Sequence, residues 1–136
     1  MANSGHGAAA IYLWGYVGEM TLKAGWFRLI GFAEHQTIRT SDLQNAVSTA
    51  QSHGIAWPGK NLHSLSHWAE LLVQHRIQLG RAYSPPAFGV EVVEHSQRIY
   101  QHWRETLRYK INRPYASEVR AVRESAQWLL ANSLRL

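Results

Sequence analysis

Glu19 and Lys23 stand four residues apart inside Tyr12–Ala24, YLWGYVGEMTLKA, a stretch otherwise almost entirely apolar or small. At i,i+4 with the acid first, they pair in the more favourable orientation on a helix. Charges in such surroundings serve either as a buried structural pair or as ligand contacts. His63 and His67 form a second i,i+4 pair, with Glu70 close behind. Two imidazoles on one helical face can ligate a metal, but a third ligand must come from elsewhere and the HExxH order is absent. The same spacing also describes the polar outer face of an amphipathic helix. A third set is Glu91, His95, Arg98, His102, Glu105 and Tyr109, which recur at steps of three and four. A guanidinium there can hold a phosphate and an imidazole can move a proton in RNA cleavage, so Arg98 and His102 are the candidate catalytic residues. The commoner origin of such a stripe is a solvated face with internal Glu–His and Glu–Arg pairs. Arg108-Tyr109 can supply a phosphate contact and a ring that stacks on a base. Alternatively, Arg108 caps a helix C-terminus while Tyr109 packs.

Several chemistries are excluded. No GxxxxGK[ST] loop and no GxSxG elbow occurs. With no Cys, disulfides and thiolate metal sites are ruled out, and nothing points to an oxidising compartment. No cofactor is implied. The 14 Lys and Arg against 9 Asp and Glu leave a formal charge of +5. That balance favours anionic partners such as nucleic acid or nucleotides. Arg98, Arg104, Arg108, Arg113, Arg120, Arg123 and Arg135 concentrate it late in the chain. The apolar run 8–17 is too short for a membrane span and follows no basic segment, so the expected location is the cytoplasm. The six Trp are expected in core and interface positions.

These residues need elements to hold them, and the periodicity is helical throughout. Residues 1–7 read as a flexible start and 8–136 as one helical domain. The first helix is expected over 8–32, with Leu13, Val17, Met20, Ala24 and Phe27 as its buried face. Its glycines, Gly15, Gly18 and Gly25, each cost roughly 1 kcal/mol against Ala, which makes sense where another backbone passes close by. Ser41 with Gln44 is a capping-box pattern opening a short helix to His53, with Leu43, Val47 and Ala50 inward. Asn61 or Ser64 caps a helix over 62–79, with Leu62, Leu65, Ala69, Leu72 and Leu79 inward and Gly80 as its stop. A further helix covers 90–110, with Val92, Ser96, Ile99, Trp103 and Leu107 inward. The last runs from a Ser117 cap to 134, with Val119, Val122, Ala126 and Leu129 inward. The fold class is all-α: an antiparallel up-and-down four-helix bundle with an additional short helix.

Three stretches in this order resemble the HEPN family of small helical bundles, found beside or fused to minimal nucleotidyltransferases and in toxin–antitoxin and antiviral systems. Tyr12–Ala24 resembles the family's first long helix, where a small-residue turn precedes a Glu and then Leu-Lys-Ala. Asn61-Leu62-His63-Ser64-Leu65 is similar to its His-x-Leu segment. Arg108-Tyr109, with Pro114 after it, is similar to the Arg-Tyr-Pro that ends its penultimate long helix. The likeness covers about 8–134. It departs from the family's ribonucleases, which carry an Arg, a polar residue and, a few residues later, a His. Here Ile99 follows Arg98 and Leu29 follows Arg28, and no Pro directly follows Tyr109.

The resemblance implies a homodimeric, non-catalytic module that binds a nucleotide or RNA, or serves a nucleotidyltransferase as its substrate-binding partner. Glu19, Lys23, His63, Arg108 and Tyr109 are the binding candidates. Two alternatives stand beside it. One is a metal-independent ribonuclease built on Arg98 and His102. The other is a structural, dimeric interaction protein.

Overall fold

The computed structural model describes residues 4–58, 61–108 and 114–136, with side chains described for 7–58, 61–104 and 114–136. Its elements are α1 (Ser4–Leu29), α2 (Thr40–Ser52), α3 (Leu65–Gln78), α4 (Pro86–Arg108), α5 (Ala116–Ala131) and a closing 3-10 turn, Ser133–Arg135. No strand occurs among the described residues. Helix α1 begins earlier than expected and covers part of the stretch read as a flexible start.

Glycine sets three of the stops. Gly31, Gly54 and Gly80 take positive φ, where a side chain would be strained. After Gly31, the Phe32 amide donates to the Phe27 carbonyl at 2.8 Å while the Gly31 amide donates to Arg28. This is a Schellman closure, and its apolar contact is the Phe27–Phe32 ring pair, 4.9 Å between centroids. The starts differ from the predicted caps. Helix α2 opens one residue before Ser41, and Asp42, not Gln44, accepts from the Arg39 amide at 2.7 Å. Helix α5 opens before Ser117, with Glu118 accepting from the Tyr115 amide at 2.7 Å. In both, a first-turn carboxylate also suits the positive helix end. Ser64 does cap α3, its Oγ accepting from the His67 amide.

Helix α1 packs against α3, α4 and α5, while α2 packs on α3. Gly18 lies against Leu65 and Gly25 against Leu72, so α1 and α3 run in the same sense. Gly7 against Val119 and Gly25 against Leu136 give α5 that sense too. Gly15 against Trp103 and Gly18 against Ile99 set α4 the other way. The short α2 lies between α1 and α3 in the chain, so the four long helices do not simply alternate.

The α1 face expected inside is instead largely outside. Leu13 is 69% exposed and Met20 42%, Ala24 is also exposed, and only Phe27 of that set is buried. The buried face carries Ile11, Gly15, Gly18, Glu19, Leu22, Gly25 and Trp26. Three helices crowd this side, so small residues, not bulky ones, meet the packing requirement. A Cβ at Gly15 would stand 2.9 Å from the Trp103 ring, and one at Gly18 3.0 Å from Leu65 and 3.1 Å from Ile99. The glycines therefore make room mainly for side chains of neighbouring helices rather than for another backbone. Elsewhere most inward positions hold, with Leu43, Leu62 and Val119 only partly buried and the Leu107 side chain outside the described residues. Val47, Ala50, Leu65, Ala69, Leu72, Val92, Ser96, Ile99, Trp103, Val122, Ala126 and Leu129 are all buried. Leu79 is not: it lies just beyond α3 and is half-exposed. Trp26, Trp57 and Trp68 are fully buried.

Candidate functional site

Helix α1 and the segment just before α3 bring together Glu19, Lys23 and His63, the last of them 44 positions from Glu19. The Lys23 Nζ donates to Glu19 Oε2 at 2.5 Å, and the His63 Nδ1–H donates to the same oxygen at 2.9 Å. Glu19 is wholly buried and its Oε1 has no partner; Lys23 is nearly buried, its ammonium 5.5 Å from the centre of the Trp68 ring. A carboxylate only accepts, so it fixes the His63 tautomer and leaves Nε2 as the ring's free nitrogen. The His63 side chain is 59% exposed, so it alone of the three offers surface to a ligand. Its ring meets Trp103 edge-on at 6.2 Å. Beside it, Asn61 donates to the Tyr100 hydroxyl at 2.6 Å, and the Arg104 guanidinium lies 5.8 Å from the Tyr100 ring centre. The face thus gathers an imidazole nitrogen, an aromatic ring and a cation. Sequence reading marked His63 but not Tyr100, because Tyr100 falls outside both stripes read from α4 and so carried no spacing signal.

The other candidates sit elsewhere. His67 turns away from His63: its Nε2–H donates to the Ala56 carbonyl at 3.0 Å, its Nδ1 meets Ser64 Oγ, and its ring stacks on Trp57. Among the described residues no three His, Asp or Glu side chains gather as a metal site. Arg108 ends α4 with its side chain outside the described residues, and Tyr109 lies outside them altogether.

The α4 stripe meets α5 in part: Glu91 and Arg98 are exposed, and the side chain of Glu105, like Tyr109, lies outside the described residues. Arg98 Nη1 donates to the buried Ser125 Oγ at 3.1 Å, and that hydroxyl lies 2.9 Å from His95 Nδ1. His95 also stacks on Trp128 at 4.4 Å. His102 Nδ1 lies 3.5 Å from Glu118 Oε2. Arg98 and His102 are therefore engaged with different α5 residues. Ser125 and Trp128 were missed because they belong to a helix whose partner face only the fold reveals.

Burial, then Arg98, push the His95 pKa below its usual value against the opposing pull of Glu91 and Glu94. Burial and His53 lower His75, whose Nδ1 lies 3.0 Å from His53 Nε2. A depressed imidazole pKa means the unfolded chain takes up protons first. The stability these groups contribute is complete above about pH 6.5, the unfolded value, and is lost as pH falls through their folded values. The melting temperature should therefore drop between pH 7 and pH 5. The drop should shrink in a His75→Gln/His95→Gln double variant, and an equally steep profile in that variant would rule out these two groups.

No protein-family model matches the chain, and neither a curated protein nor a solved structure matches it. Among the described residues no helix is long and apolar enough to cross a membrane.

Proposed function

We propose that the chain is a non-catalytic, HEPN-like module that binds a nucleotide or RNA on the face around His63. The supporting observation is the exposed imidazole held by a buried carboxylate beside Tyr100 and Arg104. Glu19 and Lys23 position this ring, and Tyr100 and Arg104 offer a base a stacking surface and a phosphate a cation. In this reading α1, α3, α4 and α5 form the family's four-helix bundle and α2 is the additional short helix. The module acts alone or as the substrate-binding partner of a nucleotidyltransferase.

It works as a homodimer through the outer face of α1. Leu13, Tyr16 and Met20 are respectively 69%, 53% and 42% exposed along one side of that helix, an apolar strip of the kind that marks an interaction surface. Leu13→Asp should convert a dimer to a monomer in sedimentation, and a parent chain that sediments as a monomer at high concentration would remove this part of the proposal.

Titration with mononucleotides and short RNA at several salt concentrations tests the binding. Affinity should fall with salt, and His63→Ala should weaken it roughly tenfold, the effect of one hydrogen bond of about 1–1.5 kcal/mol. Absence of binding even at low salt would refute the proposal.

A further inference from the structure

Where α1, α3 and α5 end and α4 begins, Arg28, Arg76, Arg81 and Arg135 line one cavity of about 500 Å³. No Asp or Glu side chain among the described residues lines it. Among the described residues the ion pairs are Lys23–Glu19, His63–Glu19 and His102–Glu118, so none of the four guanidinium groups pairs with an Asp or Glu side chain. Four like charges around one space repel each other unless an anion joins them.

Two of the four have clear structural work. Arg28 Nη2 donates to the Ser133 carbonyl at 2.6 Å, tying α1 to the final turn. Arg135 lies 3.9 Å from the Phe88 ring centre and reaches Asn132. Cations at the ends of α1 and α3 also suit the negative helix termini. That explanation covers the charge of Arg76 in the last turn of α3 but not its unpartnered Nε, nor Arg81 and Tyr83. Arg81 lies beyond α3, exposed, with no side-chain hydrogen bond among the described residues. Arg76 lies 4.3 Å from the centre of the Tyr83 ring, and its buried Nε has no partner. Tyr83 is only 7% exposed, and its hydroxyl is also buried without a partner. Burial pushes this phenol up to about 12 against the pull of Arg76 and Arg28, so it remains a donor at neutral pH. Unsatisfied buried donors in a cationic wall are what an absent acceptor would leave behind.

The donors favour a phosphate over a carboxylate. A phosphate monoester presents three terminal oxygens and close to two negative charges, which suits several guanidinium groups and a phenol at once. The volume exceeds that of a bare phosphate and falls in the range of small-molecule pockets, roughly 300–1,000 Å³. We propose that this cavity binds a small phosphate monoester through Arg28, Arg76, Arg81 and Arg135, with Tyr83 as a further donor. The site is distinct from the face of His63: one lies near the start of α3 and the other near its end, roughly 18 Å along the helix at 1.5 Å per residue.

Calorimetric titration of the full chain with ribose 5-phosphate, ribose and inorganic phosphate tests this. Ribose 5-phosphate should bind and raise the melting temperature, ribose should do neither, and inorganic phosphate should bind more weakly than the ester. Arg81→Gln should weaken ribose 5-phosphate at least tenfold, and Tyr83→Phe, which keeps the ring, several-fold. His63→Ala should leave it unchanged, while Arg81→Gln should leave RNA binding at the His63 face intact, which separates failure here from failure there. The proposal is overturned if ribose 5-phosphate gives no heat at low salt. It is equally overturned if folded Arg81→Gln and Tyr83→Phe both bind like the parent. Inorganic phosphate binding as tightly as the ester would reject the ester.

Discussion

Glu19→Leu should lower the unfolding free energy by about 3–5 kcal/mol, the range for removing one partner of a buried ion pair. The cause is what remains. Lys23 is nearly buried and loses its carboxylate, keeping only the Trp68 ring 5.5 Å away. His63 also loses the acceptor of its Nδ1–H. Adding Lys23→Met should recover much of the loss, because removing both charges also removes the expense of burying them. In thermal unfolding, the single variant should melt on the order of 10 °C lower and the double variant much closer to the parent. The Lys23→Met single variant should fall between them, since Glu19 keeps the His63 donor. If the double variant is no more stable than Glu19→Leu, then the loss comes from poor packing of the introduced side chain rather than from a stranded ammonium. The double variant also separates stability from function: it folds, yet His63 has nothing to hold it, so binding on the His63 face should stay weak.

This cluster also shows where sequence reading succeeded and failed. The Glu19–Lys23 pair was legible because i,i+4 spacing is a local property of a helix. Its burial was not. Counting apolar residues assigned Leu13, Val17 and Met20 to the core, whereas the inner face is built from Gly15, Gly18 and Glu19. A glycine has no side chain to add to an apolar count, so a face made for close packing reads as weak. The opposite holds for α3, α4 and α5, where one clear apolar stripe each meets the core and the inward residues were mostly identified. The stop of α3 was legible through Gly80, because a positive φ is a backbone requirement that glycine meets best. Helix starts were less so, because Asp42 and Glu118 outcompeted Ser41 and Ser117 by reaching back to an amide three residues earlier.

The candidate sites divide along the same line. His63 stood out as a His near an expected helix start, but its partner Glu19 lies 44 positions away and its neighbours come from α4. The arginine cavity was invisible. Arg28, Arg76, Arg81 and Arg135 have no common spacing, and only the convergence of helix ends assembles them. The α4 stripe was read from its period as a polar surface, yet His95 and Arg98 meet on Ser125. A period identifies a face; it does not say whether another helix covers that face.

Trp68→Ala should cost about 3–5 kcal/mol, as large-to-small changes of fully buried aromatics do. Trp68 is wholly buried on α3, edge-on to Trp57 at 5.0 Å and 6.2 Å from Phe27. Its removal leaves a cavity between α1 and the segment before α3, and it strips the aromatic face from the Lys23 ammonium. The indole has a second role: its Nε1–H donates to the Leu62 carbonyl at 2.9 Å. Together with the Trp57 Nε1–H, which donates to the Asn61 carbonyl at 2.7 Å, it holds the chain immediately before His63. Trp68→Phe tests this role separately. It fills part of the space, so its stability loss should be smaller, but it cannot donate to Leu62. Amide hydrogen exchange around 61–64 should then accelerate in Trp68→Phe by more than its global stability loss predicts. Exchange that rises only in step with global unfolding would mean the indole acts through volume alone. A local rise would mean that the orientation of His63 depends on Trp68, so Trp68→Phe should weaken binding on that face while leaving ribose 5-phosphate binding at the arginine cavity unchanged.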